Sequence, residues 1–460
     1  MDLIMSLSKV YGLPRREQKM LDNLIRLFVS KDSKNREKEK YYEGKITIKD
    51  VNLGIAIPKE FSGLEIGCAW GAKAVDVLAA RSMFDGFVDA SGAESEELTR
   101  LVADNNLIIE YIKACRDELK IGCTFATLSS DEKIGCKIRF HSAQSAAAHW
   151  NGDKGRIDYG FAIIDTKNDN GENIPIIVNL YTEDAIWVLR NNEGIWRAER
   201  HPHRMGRPLM EVMVWNATSK KPFGRSRIKE PIRRLIQGYV RTVANATLGL
   251  EFSTAPQKYL LGVTDDQYDQ IINQKFKQYI GNILASTTNP ETGEKPSFGQ
   301  LQQGNISPHI EMMRLLSTQF SAATGLTVTD TGVVNDANPT SSDAILAQSQ
   351  TLVRMAEELN AGNGDALRNV ALMALAIINN TTIDSLDEEK KNIIAHFKNP
   401  AMPSVAVTAD AAIKIASARQ SFAATDMFLE MIGFSQADIR RIKAQERQAQ
   451  GLQMVSALEG

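Results

Sequence analysis

Between about residues 120 and 215 the chain changes hydrophobic period, and this limits what it can fold into. Short β-rich runs (KIGCTFATLS, KIRFHSA, YGFAIIDT, IPIIVNLYT, AIWVLRN and GIWRAERH) follow one another, broken by turn residues such as NDNGEN. They predict an antiparallel β region. The flanking sequence carries helical spacing. Residues 15–29 place Met20, Leu21, Leu24, Ile25 and Phe28 on one helical face, and SKDSKNREKEKYYEGK then reads as a charged, exposed linker. GAKAVDVLAARSMF and ESEELTRLVADNNLIIEYIKACRDELK are the next predicted helices. In the second, Glu94, Glu96 and Glu97 stand where the helix dipole favours acids. Residues 225–460 read as mostly helical, with breaks at 286–305 and 327–341, and no internal repeat is evident. The expected class is α+β, mainly helical, in two to four domains or subdomains for 460 residues.

Composition excludes several function classes. A net charge of −2 argues against a protein that coats nucleic acid through bulk charge. Cys68, Cys115, Cys123 and Cys136 form no C-x-x-C pair and read as reduced core thiols. The N-terminus lacks the pattern of a secretory signal, and no apolar run is long enough for a membrane span. HPHR (His201–Arg204) offers two imidazoles without an acid or cysteine cluster to complete a metal shell. LEIGCAWG (Leu64–Gly71) looks like a cofactor loop, but Ala69 replaces the middle glycine and no βαβ alternation follows. No phosphate loop, nucleophile elbow or H-E-x-x-H is present. No catalytic, cofactor or metal residues are therefore assigned.

One segment stands out by charge. KKPFGRSRIKEPIRRLIQGYVRTVANA (Lys220–Ala246) holds eight basic residues and one acid, Glu230. At 100° per residue, Ile228, Ile232, Leu235, Ile236, Tyr239, Val240 and Val243 share one face. Arg227, Arg234 and Arg241 lie seven apart on the opposite face, with Ser226 placed to cap the helix. The stripe reads as a solvated surface, as a salt-bridging face between subunits, or as a surface for a polyanion.

Four segments together resemble tailed-bacteriophage portal proteins. They are YYEGK (41–45), WGAKAVDVLAARSMFDGF (70–87), KPFGRSRIKEPIRRLIQGYVRTVANA (221–246) and NPTSSDAILAQSQTLVRMAEELN (338–360). Their order over more than 300 residues carries the resemblance; the first and last fifty residues contribute little. It implies a portal fold: an N-terminal helical arm and linker at 1–49 and a wing at 50–215, β-rich from about 120. A first stem helix at 216–248, a clip at 249–305 and a second stem helix at 306–325 would follow. A channel loop at 326–341, long wing and spine helices at 342–400 and a helical crown region at 401–460 would complete the chain.

The function so implied is a ring at the capsid vertex, commonly of twelve subunits, through which double-stranded DNA is packaged and ejected. Its partners would be terminase, a head-completion or adaptor protein, the scaffold and the major capsid protein. It would be found in the virion and, during assembly, in the host cytoplasm, with no membrane and no cofactor. The Arg227, Arg234 and Arg241 stripe is expected to stabilise the ring rather than grip DNA, because a channel must let phosphates slide. Pro290, Glu291, Lys295 and Pro296 fall in the expected partner-contacting clip loop. Val328, Asp330, Val333, Val334 and Asp336 fall in the expected channel loop, inside a stretch from Arg314 to Arg354 with no other Lys or Arg. The alternatives are a transferase built on Leu64–Gly71 and a scaffold or adaptor that never touches DNA.

Overall fold

The computed structural model describes residues 7, 9–51, 65–89, 95–169, 171–254, 258–261, 293, 297–300, 305–333, 342–401, 405–434, 438–439 and 441–449. The principal helices are α1 (Arg15–Tyr42), α2 (Ile48–Val51), α3 (Trp70–Ala79), α4 (Glu96–Asp104), α5 (Leu107–Ile121) and α6 (Glu230–Thr254). They continue with α7 (Ser307–Thr324), α8 (Ser342–Ile378), α9 (Glu388–Lys391), α10 (Val405–Ala418) and α11 (Asp426–Ile432). The strands are β1 (Val10–Tyr11), β2 (Lys45–Thr47), β3 (Glu65–Gly67), β4 (Phe84–Val88), β5 (Cys123–Asp131), β6 (Gly135–Ser142), β7 (Ala146–Asn151) and β8 (Arg156–Asp169). They continue with β9 (Glu172–Tyr181), β10 (Ala185–Asn192), β11 (Ile195–Pro202), β12 (Met210–Val214), β13 (Lys258–Leu261), β14 (Ser297–Gln300) and β15 (Ile394–Phe397). Helix outweighs strand, as expected for a mainly helical α+β chain. Among the described residues no helix is long and apolar enough to cross a membrane.

Four local expectations are corrected. The charged stretch after residue 30 is helix, part of α1, because Lys, Glu and Arg are strong helix formers. The helix expected across residues 94–120 is two, α4 and α5. Asn106 takes a left-handed conformation (φ 50°) that breaks the first helix, and Asn is among the few residues that adopt it readily. The helix in GAKAVDVLAARSMF stops at Ala79, and Phe84 begins β4. Within the expected helices of 342–400, Ile394–Phe397 is a strand paired with β4.

The chain divides into two compact units. The first comprises residues 1–35, 76–226 and 339–460. Its main sheet has the order β1-β11-β10-β9-β8-β7, antiparallel throughout except for the parallel pairing of β1 with β11. Leu21, Leu24, Ile25 and Phe28 of α1 pack on one face of this sheet with Phe161, Val178, Leu180, Leu189 and Trp196. A three-stranded sheet, β12-β5-β6, forms a second layer. All four cysteines are buried and none forms a disulfide, and burial raises the Cys68 thiol to about 11.

A buried polar cluster ties α5 to α8 in this unit. The Asn363 amide donates to Glu118 Oε2 (2.8 Å) and to the Tyr111 hydroxyl (3.1 Å). Ser82 Oγ lies 2.5 Å from that hydroxyl and donates to Asn360 Oδ1. Glu118 is fully buried with no cation beside it, and burial raises its carboxyl to about 8. The folded chain therefore holds a proton that the unfolded chain releases in the ordinary carboxylate range. The stability this supplies is complete below that range and is lost as pH rises towards 8. Buried His141, held down to about 4, acts with the opposite sign and only below its ordinary value of 6.5. Between pH 6.5 and 8, Glu118 is expected to cost about 2 kcal/mol of stability. Glu118→Gln should flatten the fall in melting temperature over that window. A wild-type melting temperature constant from pH 6.5 to 8 would contradict a protonated Glu118.

The second unit comprises residues 36–75 and 227–338. It is built on the antiparallel packing elements α6 and α7, with α2 and the β2-β3 pair against α6. Ile48 and Ala244 form a small buried cluster here, with Ile66 and Leu248 against it.

Candidate functional site

The candidate site is the α6 and α7 helices of the second unit and the turn after α7. Ile232, Ile236, Val240 and Ala244 recur every four residues along α6, and all are buried. Pro231 stands in the first turn, where a helix needs no N–H partner. Gly238 lets the two helices approach closely: a Cβ there would meet the Leu316 side chain at 3.3 Å.

The centre of the unit is Trp70. Its ring stacks on Phe320 of α7 (4.6 Å between centroids) and lies 4.3 Å from the ring of Tyr239 of α6. Its indole N–H donates to the Thr331 carbonyl at 3.1 Å, which fixes the turn after α7 to α3. Thr331 is buried and its hydroxyl lies 2.5 Å from that of Ser317. Beside Trp70, Gly71 has no room for a side chain, because a Cβ there would lie 2.0 Å from the Tyr41 carbonyl oxygen. In LEIGCAWG, Glu65–Gly67 pairs with β2, and it is Gly71 whose lack of a side chain admits the end of α1. Leu64 lies outside the described residues.

The arginine stripe is corrected. Helix α6 begins at Glu230, so Arg227 precedes it and does not share a face with Arg234 and Arg241. Ser226 does not cap α6; its hydroxyl donates to the Lys120 carbonyl in the first unit. Arg227 is buried. It donates through Nε to the Ala74 carbonyl (2.5 Å) and through Nη2 to the Thr324 carbonyl (2.7 Å). Thr324 is the last residue of α7, where free carbonyls and the helix dipole favour a cation. Burial lowers the guanidinium to about 10, so it remains charged at neutral pH. Arg234 is exposed and paired with Glu230 at 2.9 Å. Arg241 is half-buried on the same helix. Arg233 makes the denser set of contacts, to Glu230, to the Ile228 carbonyl and towards Glu37.

The turn after α7 uses two left-handed glycines, Gly325 (φ 73°) and Gly332 (φ 73°), around a short 3-10 turn at Thr329–Thr331. Asp330 accepts from the Thr327 N–H and hydroxyl at 2.9 and 2.8 Å, so its carboxylate closes the turn. Val328 and Val333 are half-buried, and Val334 and Asp336 lie outside the described residues. The expected clip residues Pro290, Glu291, Lys295 and Pro296 also lie outside them.

Periodicity alone does not reveal the burial of Arg227, since an arginine at helical spacing reads as surface. Nor does it identify the apolar side chains that the helix pair leaves in solvent: Leu250, Ile310 and Leu315, the last 51% exposed. In HPHR, His201 is exposed within 3.5 Å of Glu199, and half-buried His203 accepts a weak bond from the Met205 N–H. Among the described residues no group of three or more His, Cys, Asp or Glu is placed to hold a metal ion.

The family model described as "Phage portal protein, SPP1 Gp6-like" matches residues 31–452. No curated protein matches the chain. Among solved structures, the neck of an empty GTA particle computed with C6 symmetry is 10% identical, covering 76% of this chain and 86% of that one, with a TM-score of 0.46. The neck of a native GTA particle computed with C12 symmetry is 11% identical, covering 79% and 89%, with a TM-score of 0.45. The virion of a native gene transfer agent particle is 10% identical, covering 79% and 89%, with a TM-score of 0.43.

Proposed function

Because the chain belongs to the phage portal protein family, SPP1 Gp6-like, we propose that it is one subunit of a closed ring through which double-stranded DNA enters and leaves a capsid. The family is structural rather than enzymatic. The family match over most of the chain is the observation that carries this reading.

In this reading α6 and α7 are the stem, the residues between them the clip, and the turn from Gly325 onward the start of the channel loop. The β-sheets of the first unit belong to the wing, and the helices beyond residue 401 to the crown. The ring has twelve subunits, stands at the capsid vertex of the virion, and docks terminase and a head-completion protein. Scaffold and major capsid protein surround it. The stem role expected of three arginines passes to Arg234 and Arg241, with Arg227 holding the stem together inside the subunit.

The turn gives a test. Thr331 is anchored, so a deletion of Gly332–Asp336 spares the Trp70 and Ser317 contacts. Subunits with this deletion should still form rings, while particles assembled from them should fail to package or retain DNA. Normal DNA content and titre would contradict the channel placement.

A further inference from the structure

Two charged sets in the first unit lack partners of opposite sign among the described residues. Arg190 on β10 and Arg197 on β11 are direct cross-strand neighbours, both exposed. Like charges placed so destabilise a hairpin, and neither guanidinium has an ion pair among the described residues. Tyr11 of β1 stands next in the same row, opposite Arg197, with Lys9 5.4 Å from its ring centre. Tyr11 is 54% exposed and Ile195 49%. The nearest acid along that face of β11, Glu199, is turned to His201. On the other side of the ledger, DSLDEE (384–389) is the densest acidic run of the described residues. Within it Asp384 and Asp387 are exposed and have no cation partner among the described residues, whereas Glu388 pairs with Lys391. Farther along the same segment Ile394 is 56% exposed.

We infer that the Arg190/Arg197/Tyr11 patch docks on the Asp384–Asp387 turn of a neighbouring copy of this chain. This rests on the ring reading and assigns one of its interfaces. A head-to-tail ring joins two different patches of one surface, and each unsatisfied set then receives the charge it lacks. The exposed Tyr11 and Ile195 add apolar area at the arginine patch. A DNA duplex is the poorer occupant. Duplex binding draws on many phosphate contacts, whereas this patch offers two arginines and Lys9, with Glu193 and Glu199 beside them.

The test is charge reversal with a swap. Arg190→Glu with Arg197→Glu should raise the concentration needed for assembly about tenfold or more, as should Asp384→Lys with Asp387→Lys. Combining all four should return assembly to within about threefold of wild type. Arg190→Ala with Arg197→Ala should weaken assembly while leaving the protomer's melting temperature equal or higher, since a like-charge contact is removed. Unchanged assembly in the reversed variants, or a swap that fails to rescue, would overturn the pairing. Loss of duplex binding with rings intact would overturn it in favour of DNA. A wild-type chain that forms no ring would remove the ring reading and the pairing together.

Discussion

Arg227→Met should lower the stability of the folded subunit by about 3–4 kcal/mol, the largest loss expected of any single arginine in the basic segment. The guanidinium is buried and bonds the Ala74 and Thr324 carbonyls, and a hydrogen bond from a charged donor contributes about 1.5–3 kcal/mol. Methionine fills similar volume but leaves both oxygens without that donor. It also removes the cation from the C-terminus of α7. Arg227→Lys should recover only part of the loss, because one ammonium does not reproduce the planar fork. Arg234→Met is the control. Its partner Glu230 is a surface acid, and a solvent-exposed pair of this kind contributes little to stability. Chemical denaturation of the three variants reads the difference. Equal losses at Arg227 and Arg234 would contradict the buried role.

Gly71→Ala should cost about 3 kcal/mol, or prevent folding of the second unit. The added methyl meets backbone on α1: the Tyr41 carbonyl oxygen at 2.0 Å and its carbon at 2.7 Å. Backbone in a helix cannot turn aside as a side-chain tip can. Either α1 or α3 must move, and α3 carries Trp70, on which Tyr239, Phe320 and the Thr331 carbonyl converge. Gly67→Ala makes the comparison, since a Cβ at Gly67 meets nothing within 4 Å. A melting temperature for Gly71→Ala equal to that of Gly67→Ala would show that the approach of α1 to α3 is not as tight as described.

The sequence disclosed the β-rich block and the amphipathic helices because one-sided burial leaves a period. The six runs expected as strands between residues 120 and 215 fall on β5, β6 and β8 to β11, while β7 and β12 were not singled out, and Ile232, Ile236 and Val240 are buried as their spacing implied. The failures have local causes. Residues 30–42 look like a linker because they are charged, yet Lys, Glu and Arg favour helix whether or not a core lies beneath them. Asn105 and Asn106 gave no sign of a break, because the break depends on tertiary contacts. The Asn105 side chain donates to the Cys136 carbonyl and accepts from the Ile138 N–H. Arg227 was misplaced because its partners, Ala74 and Thr324, lie far away in the sequence, and backbone carbonyls carry no sequence signal. For the expected channel loop, the tether from Trp70 to Thr331 gave no signal in the sequence, because its acceptor is a backbone carbonyl.

Electron microscopy of the purified chain at assembly concentration tests the central claim most directly. The account predicts closed rings of one chain with a central opening wide enough to pass a DNA duplex. Monomers or dimers alone, or closed assemblies without an opening, would contradict it.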